Sequence, residues 1–450
     1  MQKLSGVRQP RDNSKMAALR DQFANLADKF MGERDGASPR IGLDPIPASS
    51  KYLDKTDLMA LIDSSLDLWL TEGRYADAFV SKLKTILSVD NVALTVSGSS
   101  ANLLAFTCLT SPKLGKRAIL PGDEVITVAA GFPTTIFPII QNGCIPVFVD
   151  IDIRTLNIDV QHLEKARSDK TRAIMIAHTL GNPFNVSEVR KFCDKYDYYL
   201  IEDCCDALGA TYDGQHVGTF GDVGTLSFYP AHHITTGEGG AIFTRSPDLL
   251  AIIESYRDWG RDCYCKTGMN NTCGKRFGWQ LGDLPHGYDH KFIYSHVGYN
   301  MKMTDMQAAL GVSQADKLDF FVKKRRANFE LMRRLIIDTG LDDRLDIMHP
   351  TANSEPSWFG FMMILKEASP ELRVKLTSFL EKHKIVTRLL FAGNIVRQPV
   401  MKDKRFRVAS ELTITDHVMN NGFWTGIWPG LNQEHIEYIV EKLKDFFKAN

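Results

Sequence analysis

Between about residues 56 and 311, apolar residues gather into short continuous runs. VITVAA (125–130), IPVFVDID (145–152), AIMIAHT (173–179), YYLIEDCC (198–205) and VGTLSFY (223–229) lack the polar alternation of a strand with one wet face, so they read as strands covered on both sides. Segments of helical spacing, such as 187–196, separate several of them. That alternation predicts an α/β unit on a mostly parallel sheet. Ligands of such sheets sit beyond the carboxyl ends of the strands, so the polar residues that end these runs are the ones to inspect.

After residue 312 the pattern changes. A long charged helix over 313–339, strand-like WFGFMMIL (358–365) and VTRLLFAG (386–393), and a final helix over 433–447 predict a smaller α+β domain. A helix over 16–31 and an extended, Pro-containing connector open the chain. The expected organisation is therefore an N-terminal helix and connector over 1–55, a large domain over 56–312 and a smaller domain over 313–450.

A length of 450 residues agrees with more than one unit, since a single core stops growing near roughly 250–300 residues. With 44% apolar and 24% charged residues the chain reads as an ordinary soluble protein. Its 54 basic side chains balance 54 acidic ones, which leaves no electrostatic footprint for nucleic acid or an anionic membrane and favours a small partner. Lys3, Arg8, Arg11, Asp12, Lys15, Arg20 and Asp21 interrupt the opening segment, so no signal peptide is expected. No apolar run reaches the roughly eighteen residues of a membrane span. Eight cysteines without a secretion signal imply reduced thiols and a cytoplasmic setting.

Three stretches carry candidate chemistry. SGSSAN (97–102) follows strand-like VALTV and opens a helix; it either caps that helix or seats a phosphate on free N–H groups. IEDCCDALGA (201–210) ends a strand on an acidic pair, either a helix cap or a carboxylate, Asp203, for a protonated pyridine nitrogen. DCYCKTGMNNTCGKRFG (262–278) is Gly-rich and poor in apolar anchors. Cys205, Cys263, Cys265 and Cys273 are separated by 57, 1 and 7 residues, and four thiolates suit either a 2Fe-2S cluster or a structural zinc. Cys108, Cys144 and Cys193 lie in apolar or helical contexts and read as packed side chains.

SFYPAHHITTGEGG (227–240) resembles the cofactor-anchoring segment of the pyridoxal-phosphate sugar aminotransferases, as do GFPTT (131–135) and GYNMKMTDMQAA (298–309). The resemblance implies fold type I, with Gly98, Ser99 and Ser227 holding the phosphate, Phe132 stacking on the pyridine ring and Asp203 meeting its nitrogen. It also implies a homodimer in which Asn300 reaches the neighbouring subunit's phosphate. The family's Schiff-base lysine is replaced here by His232. An imidazole cannot tether the aldehyde cofactor, so pyridoxamine phosphate held without a covalent bond is the expected form. A histidine can remove a proton from the cofactor's methylene carbon and return it to a leaving hydroxyl. His233 is the competitor by sequence, and the family frame selects His232.

The cysteine spacing, the histidine and the run RDWGRDCYC (257–265) together resemble the iron-sulfur 3-dehydrases of nucleotide-linked 4-keto-6-deoxyhexoses. That similarity implies a 2Fe-2S cluster on Cys205, Cys263, Cys265 and Cys273, with Cys204 as the alternative to Cys205. It implies electrons from a separate NAD(P)H-dependent reductase, and a CDP-linked substrate from overall similarity. WFGF (358–361), TRLLFAGN (387–394) and RQP (397–399) are expected to shape the sugar-nucleotide pocket. Alternatives are a TDP-linked substrate, a redox-independent dehydratase or aminotransferase with structural zinc, and a non-enzymatic sugar-nucleotide sensor.

Overall fold

The computed structural model describes residues 14–33, 38–367 and 369–449. Residues 1–13 and 34–37 of the expected N-terminal unit lie outside that set. The chain begins with α1 (Ser14–Glu33), α2 (Lys55–Leu66), α3 (Arg74–Leu87), β1 (Asn91–Thr95), α4 (Gly98–Thr107), β2 (Glu124–Val128), α5 (Pro133–Gln141) and β3 (Ile145–Val149). It continues through α6 (Leu163–Ala166), β4 (Thr171–Ala177), α7 (Val186–Tyr196), β5 (Tyr199–Asp203), β6 (Thr211–Tyr212), β7 (Gln215–His216), β8 (Val223–Ser227), β9 (Gly240–Thr244) and α8 (Pro247–Arg257). Then come α9 (Asp305–Ala315), α10 (Leu318–Asp338), β10 (Leu345–Ile347), β11 (Ser354–Glu355), β12 (Gly360–Leu365) and α11 (Pro370–Lys382). The last elements are β13 (Arg407–Val408), α12 (Thr413–Asn421), β14 (Gly422–Gly426) and α13 (Gln433–Ala449).

Eight strands form one sheet in the order β1-β9-β8-β5-β4-β2-β3-β13. Only β9 runs against the others, pairing antiparallel with both β1 and β8. The expected runs are strands with every residue of β2, β5 and β8 buried. Their side chains alternate between two cores: Ile174 and Ile176 of β4 face one, Ala173 and Met175 the other. The second core is closed by α4 and α8, through Ala101, Leu104, Ile252 and Ile253. Helices on both faces and a largely parallel sheet make this the expected fold type I architecture.

Local signals explain the helix boundaries. Asn185 accepts from Glu188 N at 3.2 Å to start α7, and Asp197 ends it in the left-handed region at φ +55°. Ser246 caps α8 with Pro247 in its first turn.

The C-terminal part forms a three-stranded antiparallel sheet, β10-β12-β14, packed with α10, α11 and α13. Two expectations there need correction. The continuous helix expected over 313–339 is two helices, because Lys317 turns out of line to reach Asp57 at 2.6 Å and Asp54 at 2.8 Å, while Gln314 bonds Asp57 at 3.0 Å. The strand expected at VTRLLFAG is a loop with a single bridge from Arg388 to Trp424. Phe391 at φ +43° and Gly393 at φ +68° reverse the chain there, and its apolar residues serve a turn rather than a ladder. One short strand, β13, returns to the large sheet beside β3, where Arg407 Nη2 meets Glu124 at 2.7 Å.

Candidate active site

Four carboxyl ends converge. Strand β1 runs into the Ser97 turn, β5 ends on Asp203, β8 ends on Ser227, and the loop after β2 carries Phe132 into α5. Register fixes their relative height: Asp203 pairs with Thr225, and Gly240 pairs with both Ser227 and Thr95.

Ser97 caps α4, accepting from Ser100 N at 3.1 Å. Gly98 begins the helix directly against β8; a Cβ there would stand 2.4 Å from Ser227 Cβ and 3.0 Å from Cys205 Sγ, so any larger residue would fill the cradle. Ser99 is exposed beside it and Ser227 is buried at the strand end. Free N–H groups at the start of a ten-residue helix, flanked by two serines, offer an anion donors and the positive end of the helix dipole.

Asp203 is buried and accepts three hydrogen bonds: from Asn102 Nδ2 at 2.8 Å, Thr135 Oγ1 at 2.7 Å and its near neighbour Cys205 N at 3.0 Å. Asn102 is oriented in turn by Thr225 Oγ1 at 2.7 Å. Both carboxylate oxygens therefore carry donors. Phe132 is 48% exposed, so it is not a core aromatic; its ring meets Phe391 edge-on at 6.0 Å. This arrangement fits a pyridoxamine phosphate, with an anion seat, a carboxylate and an open aromatic face.

The two histidines part company. His233 is buried, with Nε2 donating to Ser357 O at 2.7 Å, and burial pushes its pKa well below the ordinary value. His232 lies partly exposed between Tyr229 and Phe359, at ring separations of 6.4 and 5.3 Å, with Nδ1 3.2 Å from Asp206 Oδ1. Asn300 is exposed in a bridge with Asp258, and the next residue, Met301, accepts from Val96 N at 3.0 Å. That places Asn300 beside the strand that leads into the Ser97 turn.

The four cysteines of the expected cluster are not gathered. Cys205 sits at the cradle, where burial and then Asp203 push its thiol well above the ordinary pKa. Cys263, Cys265 and Cys273 occupy the 262–278 loop. There Thr272 N donates to Cys265 Sγ at 3.3 Å, Lys275 N donates to Cys273 Sγ at 3.4 Å, and Cys273 meets His290 at 3.7 Å. Among the described residues no three His, Cys, Asp or Glu side chains are placed to hold a metal ion.

Sequence reading missed Thr225, Asn102, Thr135, Asp206 and Arg325. Asn102 and Thr135 stand inside SGSSAN and GFPTT, where a polar residue one helical turn past a Gly turn could have marked the first. Arg325 lies on α10, far along the chain, without a local signal.

The sequence pattern of the DegT/DnrJ/EryC1/StrS aminotransferase family matches residues 51–444. The lipopolysaccharide biosynthesis protein RfbH of Salmonella typhimurium is 57% identical over 433 residues, covering 96% of this chain and 99% of that one. A dTDP-4-dehydro-2,6-dideoxy-D-glucose 3-dehydratase of Saccharopolyspora spinosa is 48% identical over 95% of this chain and 92% of its own. Among solved structures, an E. coli GDP-4-keto-6-deoxy-D-mannose-3-dehydratase with bound hydrated PLP superposes with a TM-score of 0.80 at 31% identity, covering 88% of this chain and 99% of that one. This chain belongs to the DegT/DnrJ/EryC1/StrS aminotransferase family.

Proposed function

We propose that this protein removes the 3-hydroxyl of a nucleotide-linked 4-keto-6-deoxyhexose, holding pyridoxamine phosphate without a covalent tether. The observation that carries the reading is the contrast between the two histidines: His233 is sealed against Ser357 O, whereas His232, at the position that the resemblance gives to the family's lysine, keeps a partly exposed ring beside Asp206. The similarity to two 3-dehydratases named for 4-keto deoxysugars supports it.

When bound, the cofactor supplies an amine that joins the substrate ketone and a pyridinium that absorbs negative charge. The first turn of α4, with Gly98, Ser99 and Ser227, holds the phosphate, and Phe132 covers one face of the ring. Asp203, oriented by Asn102 and Thr135, would meet the protonated ring nitrogen. His232 would carry one proton, accepting it at Nε2 and delivering it to the hydroxyl oxygen at sugar carbon 3, which would depart as water. Asn300 of a second copy completes the phosphate seat in the proposed homodimer. Replacing Asp203 with Asn removes a charge-assisted contact worth about 1.5–3 kcal/mol. Pyridoxamine phosphate should then bind about ten- to a hundredfold more weakly by titration calorimetry; undiminished affinity would reject this role.

CDP is the nucleotide we assign, on overall sequence similarity, and the 48% identity to the Saccharopolyspora enzyme favours TDP as the second reading. A 2Fe-2S cluster and an NAD(P)H-dependent reductase are further proposals that rest on the cysteine spacing; the dehydration above is derived without them. The test supplies CDP-, TDP- and GDP-linked 4-keto-6-deoxyhexoses carrying ¹⁸O at carbon 3 to the protein loaded with pyridoxamine phosphate. Label should pass into water with the CDP sugar, and retention with all three would reject the function. On the same anaerobic preparation, iron and acid-labile sulfide at about two each per chain are expected for the cluster, and zinc without sulfide would overturn it.

A further inference from the structure

We infer that Asp206 is a positioning residue for His232: its carboxylate accepts a hydrogen bond from Nδ1–H of the imidazole and so leaves the Nε2 lone pair to act as the base. This rests on the reading of His232 as the proton carrier. Asp206 Oδ1 stands 3.2 Å from His232 Nδ1, with the two side chains 12% and 16% exposed. Nδ1 has no other hydrogen-bond partner among the described residues, so the carboxylate is the group placed to engage it.

The other groups around the imidazole are of a different kind or otherwise engaged. Phe359 presents an apolar ring at 5.3 Å and Tyr229 a ring edge at 6.4 Å. His233 Nε2 is committed to Ser357 O. Asp206 is therefore the carboxylate placed to choose the tautomer of His232. Arg325 of α10 is fully buried, and its Nη1 donates to the carbonyls of Trp358 at 3.3 Å and Phe359 at 3.1 Å. Burial pushes Arg325 down to about 10, and Asp206 is the charge that opposes that shift. A buried guanidinium without a counter-charge is costly, so Asp206 also offsets the charge of Arg325. In a triad the same division of labour, a carboxylate on one ring nitrogen and chemistry at the other, is worth about 10⁴ in rate when the carboxylate becomes an amide.

Two measurements test this. In the full-length protein loaded with pyridoxamine phosphate, ¹⁵N-histidine NMR at alkaline pH should show the neutral form of His232 protonated on Nδ1. The resonance is assigned by its loss in His232→Gln, and Asp206→Asn should shift the population toward the Nε2-protonated form. In the loaded protein with substrate in D₂O, exchange of the methylene hydrogens of pyridoxamine phosphate should slow about 10²- to 10⁴-fold in Asp206→Asn. Cofactor affinity should stay unchanged, and Asp206→Glu should recover part of the rate. A wild-type His232 protonated on Nε2, or Asp206→Asn exchanging at the wild-type rate, overturns the role of Asp206. Wild-type exchange in His232→Gln would instead overturn the function it rests on.

Discussion

His232→Gln is expected to bind pyridoxamine phosphate as tightly as the wild type and to dehydrate the sugar about 10²- to 10⁴-fold more slowly, the usual contribution of a placed acid-base group. Glutamine fills similar space and can hydrogen-bond, but it cannot hold and release a proton near neutral pH. The proposed anchors of the cofactor, at the start of α4, Phe132 and Asp203, do not include the histidine, so affinity and rate should separate. His232→Lys makes the complementary case. It restores the amine that the family uses, and borohydride treatment with pyridoxal phosphate should then fix one cofactor per chain at position 232 by mass spectrometry. The wild type should yield no such adduct; one found at any lysine would contradict an untethered cofactor.

Glu202→Ala should cost about 3–5 kcal/mol of stability, the penalty for breaking a buried charged network. Glu202 is wholly buried on β5, back to back with Asp203, and accepts from Gly218 N at 2.8 Å, Phe220 N at 2.9 Å and Gly221 N at 2.5 Å. His178 Nε2, also wholly buried, lies 3.0 Å from the same carboxylate, with its ring stacked on Phe184 at 4.2 Å. Truncation strands three backbone donors and a histidine nitrogen in a dry site. Urea unfolding should show the midpoint falling while the slope holds, and a change below about 1 kcal/mol would show that the loop of residues 217–221 is held by something else.

The acidic pair at 202 and 203 shows how far sequence reading reaches. Period two alone sends the two carboxylates to opposite faces of the sheet, and the strand end marks them for attention. Which one would meet the cofactor came from family resemblance, and the structure displays a separate set of donors for each. The strands of the large sheet were legible because a continuous apolar run is a local property. The segment 386–393 was equally apolar and misled for the same reason, since the left-handed turn at Phe391 and Gly393 leaves no mark in hydrophobicity. The break between α9 and α10 was hidden because it depends on Asp54 and Asp57, more than 250 residues away in the chain.

The sequence by itself determined the alternation of strands and helices, the Ser-Gly turn at 97–98, the carboxylate at 203 and the replacement of a lysine by histidine, all encoded by residue type and near-neighbour spacing. Family resemblance selected His232 over His233, and only the tertiary structure displays how the two adjacent imidazoles differ: one is sealed against a carbonyl, the other is partly exposed beside Asp206. It also decided that Cys205 lies at the cofactor cradle while its three expected companions lie in a separate loop. Spacing along a chain counts residues, whereas coordination and proton transfer depend on distance through space.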